Sequence, residues 1–434
     1  MRFRAAPCRA GIVACLLVML AGACADEEPP LRIGVAVDCV GIFRSFQDAE
    51  LSGAQLPLIE RGARRRGDQA RDGITPVTVA GRSVELVTGC TEAADFSGLT
   101  AELRRMAELE QVDAVVAGSA GADEIVIREV ARAHPETVFL PVVHGPREVT
   151  LHRPAANVFR FSGDHGQGVA GLATYAYRDR GWRRAAIVLT NWDAGWGGRD
   201  AFAAEFCALG GRIEQQLALN FFDPAGRDAE RVRRDVDGVA VFGGSYFDAS
   251  GFLRRLARRV EDPPREIVAG PTLMDEPTTL RATSRALAGV TGSSYAYPPR
   301  MRAYLRDYSR AFPGVPGSLA SSELVTGYRD AVEAILLALE RANGSSARLP
   351  AELRRLRINL LGGPVRLDDN GQAVISTSLV RIGAPGTEGA QPTLTPVSRR
   401  HGVDQSVGGL LAPSLSPRAG PAPCKRGHTA GRDD

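Results

Sequence analysis

The feature that most constrains the fold is the stretch 183–211, which reads RRAAIVLT, then NWDAGWGG, then RDAFAAEFCAL and a Gly-Gly pair. A short apolar run rich in branched residues fits a strand buried on both faces of a parallel sheet. Phe202, Phe206 and Leu209 then fall at i, i+4 and i+7, on one face of a helix. Gly210 closes that helix, because glycine adopts the left-handed cap conformation without strain. A strand, a loop with Trp192 and Trp196, and a helix returning the chain toward Arg212 form one repeat of an open parallel sheet. Ligands of such sheets bind just past the carboxyl ends of the strands. Both tryptophans stand there.

The remaining chain is long enough to repeat this unit. At 434 residues it accommodates two domains with real cores. Hydrophobic residues at 44% and charged residues at 24% fit a soluble globular protein. A net charge of +3, with arginines scattered over helix faces, argues against a nucleic-acid partner.

Arg2, Arg4 and Arg9 precede an apolar run at 11–20 and then Ala21, Gly22, Ala23 and Cys24. This order of charge, short apolar core and small residues is that of a secretory signal, residues 1–23, followed by a linker at 24–30. Two processing readings stand. The small residues suit ordinary cleavage, while Cys24 before a polar segment looks like the lipid-modified first residue of a bacterial lipoprotein. On either reading the product is exported, to the periplasm or the cell surface, and on the second a lipid at Cys24 anchors it to the membrane. No later segment is apolar enough to cross a bilayer.

Export changes how the cysteines read. Cys39 follows a strand at 31–37 and Cys90 follows one at 84–87. If those strands are parallel neighbours, both thiols reach one sheet edge, where an oxidising compartment joins them. The competing reading is two small core residues. No Cys/His grouping has the spacing of a zinc site, and the sequence calls for no cofactor.

Strand and helix patterns alternate along the chain, restart near 165, and end in a hairpin around Asn370-Gly371. Beyond 385 the composition turns to Pro, Ser, Gly and Arg, and 386–434 reads as a disordered tail. The segments LRIGVAV at 31–37, LSGAQ at 51–55, VDAVVAGS at 112–119, NVFRF at 157–161, the unit 183–211 and GPVRLDDNGQ at 363–372 together carry a resemblance. In order and spacing the chain resembles the type I periplasmic substrate-binding proteins of ABC transporters, in the branch similar to leucine/isoleucine/valine-binding proteins.

That resemblance implies an α/β fold of two similar parallel-sheet lobes joined by three crossover segments, near 160–162, 291–293 and 361–363. Lobe one would hold 31–160 and 293–360, and lobe two 161–292 and 361–385. A small ligand, an amino acid or a related compound, would bind between them, and hinge closure would present it to a membrane permease. The resemblance places ligand contacts at Ser119, Ala120 and Gly121 after the third strand and at His144 and Gly145 after the fourth. Phe46 is the aromatic of lobe one, and Trp196 and Tyr246 are those of lobe two. The family's ammonium-binding acid corresponds here to Thr272, a departure that leaves amides, small carboxylates and aromatic compounds open. Asp275 and Glu276 lie close by without aligning, and Asp123 is another candidate acid, set against its reading as a first-turn helix charge.

Catalysis finds little support. Ser119 lacks the first glycine of a nucleophile elbow, and there is no Walker loop, dinucleotide fingerprint or HExxH motif. The alternative to an importer's carrier is a ligand-sensing or signalling receptor of the same fold without a transport role.

Overall fold

The computed structural model describes residues 29–220, 225–243, 249–259, 266–384 and 391–411. Within them the chain builds two sheets, each covered by helices. The first has the order β2-β3-β1-β4-β5. Its strands are β1 (Leu31–Asp38), β2 (Val77–Val79), β3 (Arg82–Thr91), β4 (Ala114–Ala117) and β5 (Val138–Pro141). β1 pairs parallel with β3 and β4, and β4 with β5, while β2 is an antiparallel edge. Nearly every residue of β1 and all of β4 are buried, as expected of strands covered on both faces.

The second sheet begins with the unit at 183–211. β6 (Arg184–Thr190) is followed by the helix Asp193–Ala208 and β7 (Arg212–Leu219), which pairs parallel with β6. β8 (Gly238–Phe242), β9 (Glu266–Ala269) and β10 (Thr291–Ser294) extend the sheet in parallel. β11 (Arg357–Leu360), β12 (Gly363–Leu367), β13 (Ala373–Ile382) and β14 (Leu394–Val403) complete it antiparallel. The chain is therefore mixed α/β with two parallel-dominated sheets in two lobes.

The chain returns to the first lobe after β10. The helix Glu323–Arg341 packs its buried Leu324, Val325, Tyr328 and Val332 against the helix Gln47–Glu60 and the first sheet. β11 pairs antiparallel with β12 in the second sheet.

One correction concerns the tail. Residues 394–403, read as disordered from composition, form β14 on β13. Most of that strand is exposed, so backbone pairing holds it, together with a few apolar anchors at Val403, Val407 and Leu411. Just beyond it, the buried Gln405 side chain bonds Thr150 at 3.0 Å and Asp164 at 2.9 Å. The tail thus ties lobe one to the first crossover.

Cys39 and Cys90 form a disulfide with a Cα–Cα distance of 5.4 Å. It follows from register, since β1 and β3 are parallel neighbours and Val37 faces Cys90. The signal segment, Cys24, Tyr246 and most of the tail lie outside the described residues.

Candidate functional site

A cavity of about 80 Å³ lies where the crossovers meet. Ser162 and Gly163 of the first crossover, Tyr295 and Ala296 of the second, and Leu361 and Gly362 at the third contribute to its wall. His144, just past β5, and Glu323, the first residue of its helix, meet on its wall: His144 Nδ1 lies 2.7 Å from Glu323 Oε2. That helix reaches so far because Gly327 lies against the Val142 carbonyl, where a Cβ would come within 2.1 Å of the oxygen. The His144 ring stacks on Tyr295, with centroids 3.2 Å apart.

Burial holds the His144 imidazole below its ordinary pKa, and the Glu323 carboxylate only partly offsets this. A neutral imidazole donates its Nδ1 proton to Glu323 and adds no positive charge. Asp275 closes another side, accepting hydrogen bonds from Ser294 Oγ and from the Tyr295 N–H at 2.9 Å. Burial still pushes its carboxyl up to about 7.

Closer to the sheet edges the two lobes touch. Gly121 of lobe one lies against Asp193 of lobe two, and a Cβ there would meet the carboxylate at 2.2 Å. Asp193 pairs with the buried His165 at 3.7 Å. Burial alone would depress the His165 pKa, but Asp193 holds it above the ordinary value. Beside them Glu124 forms a fully buried ion pair with Arg160 of the first crossover. Burial outweighs the guanidinium there and raises the Glu124 carboxyl to about 7.

The residues expected from sequence are distributed unevenly around these features. His144 lines the cavity, but its Nδ1 is engaged by Glu323. The Ser119 and Ala120 N–H groups donate to Asp123 at 3.2 and 3.0 Å. Gly145 abuts Glu124. Trp196 is half-buried and donates from Nε1 to Asn191 at 3.1 Å. Thr272 accepts the Gly243 N–H at 3.1 Å, and Phe46 packs edge-to-face on Phe43. Sequence reasoning missed Glu323, Tyr295, His165 and Asp193. Glu323 carried one local signal, a serine cap immediately before it, since Ser322 Oγ accepts the Leu324 N–H.

Among the described residues, no group of three or more His, Cys, Asp or Glu is placed to hold a metal ion, and no helix is long and apolar enough to cross a membrane. Residues 30–388 match the family described as periplasmic binding protein. The chain belongs to that family. It is a binding-protein family rather than an enzyme family, and its members are extracytoplasmic. Among solved structures the chain is similar to an ABC transporter substrate-binding protein from Sphaerobacter thermophilus, at 19% identity and a TM-score of 0.73, covering 86% of this chain and 99% of that one. It is also similar to a leucine binding protein from Thermotoga maritima, at 19% identity and a TM-score of 0.67, covering 86% and 99%. A third is a solute binding protein of an ABC transporter from R. palustris in complex with 4-hydroxybenzoate, at 15% identity and a TM-score of 0.71, covering 86% and 98%. At these identities the likeness is one of fold. No curated protein matches the chain.

Proposed function

We propose that this protein is the extracytoplasmic solute-binding component of an ABC importer. It captures a small polar ligand between its lobes and presents the closed form to a permease. The observation that carries this reading is the cavity at the junction of the three crossovers, bordered by residues of both lobes. A ligand there contacts the crossovers themselves, so its binding energy acts directly on the angle between the lobes. The ligands named for similar structures, isoleucine in one and 4-hydroxybenzoate in another, set the size range. The order of charge, apolar core and small residues at 1–23 supports export, and Cys24 is the attachment point of the lipoprotein form, the soluble secreted form being the alternative.

The test is a thermal-shift panel on the exported protein with amino acids, small carboxylates and amines. A ligand bound only by the folded state raises the melting temperature as its concentration rises. Co-purification of a permease from membranes supports the importer role. Co-purification of a sensor kinase instead would support a receptor of the same fold. A panel without any stabilising compound would count against binding altogether.

A further inference from the structure

Residues 394–411 lie beyond the span 30–388 that matches the family, yet they reach all three crossovers. Just past the first, Gln167 donates from Nε2 to the Val403 carbonyl at 2.8 Å. Beside the second, the Arg399 guanidinium lies over the Tyr297 ring, 4.2 Å from its centroid, and at the third it donates to the Gly362 carbonyl. After β14 the chain folds back in a compact turn. The Ser406 N–H and hydroxyl donate to the Asp404 carboxylate at 3.0 and 2.6 Å, and the Leu411 N–H closes onto the Ser406 carbonyl at 2.9 Å. Within it Val407 is buried at φ 51°, a conformation that a β-branched residue holds only where its surroundings over-determine it.

Gln405 fixes this turn to the rest of the protein. Its buried side chain accepts from Thr150 Oγ1 at 3.0 Å and donates from Nε2 to Asp164 Oδ2 at 2.9 Å, while its carbonyl accepts from Arg147 at 2.9 Å. Thr150 and Arg147 follow β5 in lobe one. Asp164 lies past the first crossover and accepts the Gln167 N–H at 2.7 Å, and Gln167 in turn donates to the Ala373 carbonyl of β13 at 2.8 Å. One side chain therefore spans the hinge. Rotation of the lobes must break one set of these bonds and leave a buried polar group without its partner, which costs more than losing an exposed bond. The same link reaches the cavity, since the Asp164 carbonyl accepts the Tyr295 hydroxyl at 3.0 Å.

We infer that residues 394–411 are a strap across the hinge, with Gln405 as its peg, that holds the lobes in the approach at which Gly121 meets Asp193. Gln405 acts as a positioning residue: it sets the angle between the lobes through Thr150 on one side and Asp164 on the other. The inference goes beyond the solute-binding reading and is tested without a ligand, so the two stand or fall separately.

The experiment breaks the peg from each side in the full-length exported protein. Gln405→Ala removes both side-chain bonds, and the isosteric Thr150→Val removes the hydroxyl on the lobe-one side while preserving shape. Each variant is compared with the parent by small-angle scattering and hydrogen exchange, with circular dichroism confirming that it folds; should Gln405→Ala not fold, Thr150→Val decides. The strap predicts a larger radius of gyration and about tenfold faster exchange in the segments around Gly121 and Asp193, where the lobes meet. A tail that only stabilises its own strand predicts faster exchange confined to 394–411. That result, or a radius and exchange unchanged from the parent, would overturn the inference.

Discussion

Asp123 accepts the Ala120 N–H at 3.0 Å, so the turn after β4 is capped from within the protein. The bond is short-range in sequence yet decides what the interlobe face offers a ligand. Replacing Asp123 with alanine removes this cap together with its bond to Ser119. Loss of a side-chain cap costs about 1–2 kcal/mol, which should appear as a lower midpoint in urea unfolding with an unchanged slope.

Gly121 of lobe one lies directly against the Asp193 carboxylate of lobe two. A Gly121→Val substitution adds side-chain atoms where even a Cβ comes within 2.2 Å of the carboxylate. Each lobe keeps its core, so the variant should fold with near-normal secondary structure. Closure should fail, and small-angle scattering should give a larger radius of gyration than for the parent. An unchanged radius would mean that the contact does not limit closure.

The Arg160–Glu124 pair is wholly buried and anchors the first crossover to the helix after β4. Arg160 also bonds Gln372 and the Pro146 carbonyl. Glu124→Ala leaves a buried guanidinium without its counter-charge, and breaking such a pair from one side costs about 3–5 kcal/mol. Chemical denaturation of the variant measures this directly.

How much of this was legible in sequence depends on the range over which the signal acts. The unit 183–211 could be read because an apolar run, a one-faced helix and a closing glycine are local patterns. The Cys39–Cys90 pairing was accessible because it needs only that two strands be parallel neighbours. The His144–Glu323 contact was not, since the partners are 179 residues apart and meet only through the return of a helix to lobe one. The self-capping of Ser119 was hidden because an acid in a first helical turn is common and says nothing about which N–H groups it takes. β14 escaped because its backbone pairing leaves no apolar pattern.

Removing the disulfide by Cys39→Ser with Cys90→Ser opens a bridge between residues 51 apart. The chain-entropy account and measured cases give a loss of about 2–4 kcal/mol. Thermal unfolding of the double variant should fall accordingly.

Asp275, Asp38 and Glu124 all hold raised pKa values, about 7, 6 and 7, chiefly because of burial. Between the unfolded carboxylate range and these values the folded state binds protons that the unfolded state releases. Stability contributed this way is present at low pH and is lost as pH rises through about 6–7. Without added ligand the protein should therefore melt at a lower temperature at pH 8 than at pH 5.5, and Asp275→Asn should flatten part of that slope.

The most direct measurement of the central claim is hydrogen exchange with the most stabilising compound of the ligand panel. Binding in the crossover cavity predicts slowed exchange in the segments around His144, Ser162, Tyr295 and Glu323, in both lobes together. Protection confined to one lobe, or lying away from the crossovers, would contradict it.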